Sequence, residues 1–186
     1  MIAPPPTVAQ YMTSEPATAD LGISLADAQE RMAQNNIRHL VVLEDGQIAG
    51  VISSRDIAVA LGVKGASRRD LIVADAMTDF PYVCRTTTSL AEVAEQMEHH
   101  RWGCVIVIDA DEDDGVDVAV GIFTTTDALR ALHSLISGKP AEPMVKPRDL
   151  PQSEPQPRRP LRFAHLRAIE GGLGRHQAAQ VATSTR

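Results

Sequence analysis

Apolar residues in the first 138 positions follow two alternating periods. At Leu25, Ala28 and Met32, and again at Leu90, Val93 and Met97, they recur every three or four residues, the spacing that lines one face of a helix. Unbroken aliphatic runs at 40–43 (LVVL) and 105–108 (VIVI), bounded by charged turns, predict buried strands. The segments 48–52 and 118–123 predict their hairpin partners. Short extended pieces are predicted at 17–19 and 82–85, after Pro16 and Pro81, because proline disfavours helix in its vicinity. Ser24 and Ser89 are placed to cap helices over 25–35 and 90–100. Asp56 and Asp127 are placed to open helices over 57–61 and 128–136, where a carboxylate satisfies free backbone donors and favours the positive end of the helix dipole. Each half therefore reads β-α-β-β-α.

The two halves are copies of one unit. At an offset of 65, Ala9, Met12, Thr13, Pro16, Ser24, Leu25, Ala26, Glu30 and Met32 recur as Ala74, Met77, Thr78, Pro81, Ser89, Leu90, Ala91, Glu95 and Met97. At an offset of 71, the segment 50–56 (GVISSRD) recurs as 121–127 (GIFTTTD). Six extra residues in the second copy account for the change of offset, and the acidic run 109–117 supplies them at a hairpin tip where the first copy has only Glu44, Asp45 and Gly46. A unit of about 60 residues buries too little surface to be stable alone, so the two sheets are expected to pack on each other. The expected organisation is repeat 1 over 7–62, a linker over 63–72, repeat 2 over 73–137 and a largely disordered Pro/Arg-rich tail over 138–186. The fold class is α+β, with two tandem units packed sheet to sheet about a pseudo-twofold axis.

Composition refines this picture in three ways. With 44% hydrophobic residues but only one Trp, two Tyr and three Phe, the core should be aliphatic, without deep aromatic stacking sites. Cys84 and Cys104 lie twenty positions apart, outside any metal-ligand or disulfide pattern, and read as small buried hydrophobes. The net charge of −6 divides unevenly: residues 1–138 carry nine Lys or Arg against twenty Asp or Glu, a balance of −11, whereas residues 139–186 carry nine against four, a balance of +5. The tail holds seven prolines from Pro140 to Pro160 and a predicted short amphipathic helix over 161–169, with Phe163 as its only Phe, Tyr or Trp, so nucleic acid is not the expected partner. No run of about 18 apolar residues occurs, and the opening MIAPPP lacks the basic and apolar regions of a secretory signal, which predicts a cytoplasmic protein without a membrane partner.

The phrases 8–16 (VAQYMTSEP), 37–42 (IRHLVV), Asp45 with Gly46, and 50–57 (GVISSRDI) together resemble the CBS (cystathionine β-synthase-like) domain in order and spacing. The second copy matches through 73–78 (VADAMT), Pro81 and 121–127, so the resemblance covers roughly residues 7–136 as a tandem pair, a Bateman module. Two departures stand out. Val41 and Ile106 occupy positions where the family often has proline, and Arg38 and His39 of the first copy are Gly103 and Cys104 in the second, so two ligand sites would not be equivalent.

The resemblance implies that an adenine-containing ligand binds between the repeats: AMP, ADP, ATP, S-adenosylmethionine or an NAD-type molecule, with no cofactor required. Asp56 and Asp127 then match the carboxylate that accepts from two ribose hydroxyls, a charge-assisted contact. Ser53 and Thr124 match the hydroxyl near ribose or phosphate. Arg55, with Arg38, would meet phosphate through a planar guanidinium, while Thr126 offers only a hydroxyl. Thr18, Ile37 and Val42 in one copy, and Val83, Trp102 and Val107 in the other, are the candidates for lining adenine. The same carboxylates would also be favoured as helix caps with no ligand present.

The remaining chemistry is sparse. His99 and His100 sit at a helix end, where imidazoles suit the terminal carbonyls, and neighbours there do not face one another to share a metal. The acidic loop lacks the glycine and terminal glutamate of a calcium-binding loop. The threonines at 86–88 and 124–126 have neither a nucleophile elbow nor a recognisable base, so no catalytic residue is assigned and the chain is not expected to be an enzyme. The leading expectation is a ligand-sensing regulatory module that signals to an unidentified protein partner and forms a homodimer through its helices. The alternative is a constitutive dimerisation scaffold with empty sites and an interacting basic tail.

Overall fold

Two four-stranded sheets lie face to face with helices on their outer sides, in a computed structural model that describes residues 4–64, 69–110 and 116–141. The elements in chain order are β1 (Thr13–Ser14), β2 (Thr18–Asp20), α1 (Leu25–Gln34), β3 (His39–Glu44), β4 (Gln47–Ser53), α2 (Ser54–Lys64), β5 (Thr78–Asp79), β6 (Val83–Arg85), α3 (Leu90–His100), β7 (Cys104–Ala110), β8 (Asp117–Thr124) and α4 (Thr125–Ser137). The two β-α-β-β-α units of the sequence are both present. The linker residues 65–68, the loop residues 111–115 and the tail from 142, including the segment 161–169, lie outside the described residues.

Each unit closes on the other. The sheets are ordered β2-β3-β4-β5 and β1-β8-β7-β6, so the short strand that precedes each repeat is donated to the sheet of its neighbour. Thr13 pairs with Ile122 and Ser14 with Gly121, while Thr78 pairs with Val51 and Asp79 with Gly50. The backbone leading into these strands is exchanged as well: Leu90 N donates to Pro6 O and Leu25 N to Leu71 O, both at 2.9 Å. Gly50 is required by this crossing backbone, and Gly121 makes room for the Met12 side chain carried just before β1. A Cβ at Gly50 would lie 2.7 Å from Thr78 O, and one at Gly121 would collide with the Met12 thioether.

Three apolar layers result. Leu25, Ala28, Met32, Leu40, Val42, Ile52 and Ile57 fill the first repeat beneath α1 and α2, and Val93, Met97, Val105, Val107, Phe123 and Ala131 fill the second beneath α3 and α4. Between the sheets, Val41, Ile48, Val83, Ile106, Ile108 and Ile122 form a layer drawn from both repeats. This layer explains the missing prolines. Val41 N donates to Ala17 O and Ile106 N to Tyr82 O, each at 3.0 Å, bonds that proline has no N–H to make.

Three details differ from the sequence reading. Helices α2 and α4 begin at Ser54 and Thr125, three residues earlier than predicted, because the hydroxyls of Ser53 and Thr124 take the cap position and the aspartates stand three residues inside as the return half of a capping box. Ser24 caps α1 by accepting from Asp27 N at 3.1 Å, but the side chain of Ser89 makes no such bond to α3. Finally, Tyr82, Trp102 and His100 do form an aromatic stack, with centroid separations of 4.5 and 4.3 Å, on the flank of the second core. A few rings suffice when consecutive elements β6, α3 and the turn into β7 bring them together.

Candidate functional site

The turn from the second hairpin strand into the last helix of each repeat holds the same constellation in two chemical states. In the first repeat, Asp56 Oδ2 accepts from Ser53 N at 2.8 Å and from Ser53 Oγ at 2.6 Å, while Asp56 N donates to Ser53 Oγ at 3.2 Å. Its other oxygen, Oδ1, accepts no hydrogen bond among the described residues, and the side chain is half-buried. An ionised carboxylate has about four acceptor sites. Two of those of Asp56 remain open.

In the second repeat all four are taken. Asp127 Oδ2 accepts from Thr124 N at 2.8 Å and Thr124 Oγ1 at 2.7 Å; Oδ1 accepts from Arg130 Nη2 at 2.8 Å and from Thr13 Oγ1 at 3.4 Å. The residue is 1% exposed. Arg130 Nη2 also donates to Tyr11 O at 2.6 Å, which ties the donated β1 segment to α4. Arg130 was not singled out from sequence, although it stands one helical turn beyond Asp127, where side chains meet. Its counterpart at an offset of 71 is Val59, which is 57% exposed and offers Asp56 nothing.

The surroundings of Asp56 come from both repeats. His39, at the start of β3, lies opposite Ser53 in the ladder, and its Nε2 would be 3.2 Å from a Cβ on Gly103. A larger residue at 103 would press on that ring, so the glycine in place of an arginine leaves room for the imidazole of the other repeat. Burial holds the His39 pKa below its ordinary value, helped by the Arg38 charge and opposed by that of Asp56. Burial pushes the Cys104 thiol up to about 12, with the Asp56 charge adding to the effect, and pushes Cys84 likewise to about 12. Neither is an activated nucleophile. Arg38 and Arg55 are both exposed, with Ser54 N donating to Arg38 O at 3.0 Å, and no ion pair holds either among the described residues.

The adenine-lining candidates separate clearly. Val42 and Val107 are fully buried in the cores of their own repeats, and Val83 in the layer between the sheets, so only their backbones can face a ligand. Thr18 is half-buried at the head of β2, and its carbonyl already accepts from Arg31 Nη1 at 2.6 Å. Ile37 is half-buried against the first core. Trp102, its equivalent, is stacked directly on Tyr82, which leaves no gap between the two rings for a third. Thr126 is exposed on the outer side of α4.

Comparison with known proteins adds the following. The model of the CBS domain family matches residues 8–63 and 73–134. Arabinose 5-phosphate isomerase KdsD of Pseudomonas aeruginosa is 32% identical over 112 residues, and a homoserine O-acetyltransferase of Methanococcoides burtonii 31% over 104; these stretches are 60% and 55% of this chain but only 32% and 20% of those proteins. The chain thus spans a third or less of the curated relatives it matches. Among solved structures, AcuB from Vibrio cholerae is similar with TM-score 0.62 and 25% identity, covering 75% of this chain and 100% of that one. The CBS domain pair of protein MJ0100, in complex with 5'-methylthioadenosine and S-adenosyl-L-methionine, is similar with TM-score 0.59 and 28% identity, covering 73% and 99%.

Proposed function

The chain belongs to the CBS domain family, and from that premise we propose that it is a regulatory module that binds an adenosine-containing ligand at Asp56, in the cleft between its repeats, and passes the change to a protein partner. The observation that carries this reading is the half-open carboxylate of Asp56: fixed by Ser53 through Oδ2, it keeps Oδ1 uncommitted among the described residues. A ribose needs two adjacent acceptors for its paired hydroxyls, and a carboxylate held in one orientation supplies them with little ordering cost. Ile37 and the backbones of Thr18 and Val42 would face adenine. Adenosine is also the part shared by the two ligands of the MJ0100 pair.

The charges around Asp56 favour a phosphorylated ligand. In a body of net charge −11, Arg38 and Arg55 stand exposed and unpaired among the described residues, ready to donate to a phosphate. We therefore favour AMP, ADP, ATP or an NAD-type molecule over the cationic sulfonium of S-adenosylmethionine, with the cytoplasm as the setting and no catalytic step. Leu129, Leu132, Leu135 and Ile136 leave 52–77% of their surface exposed along α4. A continuous apolar stripe on one helix is self-complementary about a twofold axis, and a second copy of this chain is its proposed occupant.

A scaffold without a ligand is the second reading, favoured by Asp127, whose carboxylate is fully used without one. Thermal unfolding against AMP, ADP, ATP, S-adenosylmethionine and NAD separates the two. A ligand at 100 times its dissociation constant stabilises by about 2.7 kcal/mol, a shift of several degrees. The sensor reading expects that shift with a phosphorylated adenosine and its loss in Asp56→Ala; no shift with any of the five would leave the scaffold.

A further inference from the structure

We infer that the Asp127 site is closed by the chain's own Arg130, so that the module takes one ligand per chain, and that the side chain at position 59 or 130 decides which site is open. The inference rests on the proposed reading of Asp56 and extends it to stoichiometry and to a residue no motif contains. The two repeats supply an internal control. Both aspartates stand at the same place in a capping box, and both follow a strand whose central glycine pairs with a strand donated by the other repeat. The difference lies one helical turn further on, where Val59 faces Arg130 by repeat position.

The consequences of that exchange are chemical. Arg130 Nη2 occupies Asp127 Oδ1 at 2.8 Å, and Thr13 Oγ1 adds a fourth donor, so a ribose hydroxyl finds no acceptor there. Displacing the guanidinium would also break its 2.6 Å bond to Tyr11 O. The Nε and Nη1 atoms of Arg130 are buried without partners among the described residues, so Asp127 Oδ1 and Tyr11 O are the acceptors that hold the guanidinium in place. At the first site Thr78, the repeat equivalent of Thr13, makes no bond to Asp56. Neutralised by an internal cation, the second carboxylate is a structural tie; unpaired, the first is a binding group.

The test transplants the tie. Position 59 is exposed on α2, three residues after Asp56, so Val59→Arg can close the first site, whereas Val59→Met alters bulk without charge. Isothermal titration of the full chain with AMP should give one equivalent per chain for the wild type and for Val59→Met. Val59→Arg should lower the affinity at least tenfold while thermal unfolding reports an intact fold, and Asp127→Asn, which keeps an acceptor oxygen for Thr124, should leave affinity within about threefold of wild type. Two equivalents per chain in the wild type, or wild-type affinity in Val59→Arg, would overturn the inference while leaving the function reading standing. Absence of wild-type binding in the same titration repeated with ADP, ATP, NAD and S-adenosylmethionine as well as AMP would overturn both.

Discussion

Replacing Asp127 by alanine should damage the fold far more than the same change at Asp56, although the two occupy equivalent positions. Asp56→Ala removes two bonds to Ser53 and the return half of a capping box, a loss of about 1 kcal/mol. Asp127→Ala removes the same box and also strips Arg130 of its counter-charge and Thr13 of its acceptor. The Arg130 side chain is only 18% exposed, and breaking a buried pair from one side costs about 3–5 kcal/mol because the remaining charge is uncompensated. For a chain of this length each kcal/mol moves the melting temperature by about 2–4 °C. The expected losses are therefore about 3 °C for Asp56→Ala and about 10 °C or more for Asp127→Ala, read by calorimetry without adenine ligands. Adding Arg130→Val to Asp127→Ala removes the orphaned cation and should recover a large part of the loss, a coupling that a double-mutant cycle measures directly. Equal shifts in the two single variants, or strictly additive behaviour in the double variant, would refute the argument.

Two further outcomes follow from named groups. His39 has a folded-state pKa held below the ordinary 6.5, chiefly by burial; its contribution to stability is present above that value and is lost as the pH falls through it toward the folded pKa, because the unfolded chain then binds the proton more readily. Urea midpoints measured from pH 7.5 down to 5.5 should fall less steeply in His39→Gln than in wild type, and identical slopes would remove His39 from the account. Leu132→Glu, placed in the exposed stripe of α4, should convert a dimer to a monomer in light scattering without altering the circular dichroism, whereas an unchanged mass would direct attention to another face.

Much of this architecture was legible because it repeats. The matched spacings of Leu25, Ala28 and Met32 with Leu90, Val93 and Met97, and the paired aliphatic runs, encode helix faces and buried strands locally. The strand exchange was not legible. β1 and β5 are two residues long, too short to carry a period, and their partners lie in strands far along the chain, Ile122 for Thr13 and Val51 for Thr78: Gly50 leaves room for the crossing backbone at Thr78 and Gly121 for the Met12 side chain, which no local pattern announces. The same gap hid the state of Asp127. Its spacing to Thr124 was readable, but its burial depends on Thr13 and Tyr11 arriving from the other end of the chain. Arg130 was within reach of sequence reasoning, since comparing residues 59 and 130 across the repeats exposes a helical position where an arginine pairs with Asp127 and a valine offers Asp56 nothing. Trp102, read as a wall for adenine, is committed to Tyr82 and His100 because those rings converge only once α3 turns into β7.

Equilibrium dialysis with AMP, comparing the wild type with Asp56→Asn, tests the central claim most directly. Asparagine keeps an amide oxygen that can accept from Ser53 N and Oγ, so the cap contacts are retained while the charged acceptor is lost. Saturable binding by the wild type that falls at least tenfold in Asp56→Asn is the predicted result. Binding of equal strength in both proteins, or none in the wild type with AMP, ADP, ATP or NAD, would contradict Asp56 as the group that makes this module a sensor.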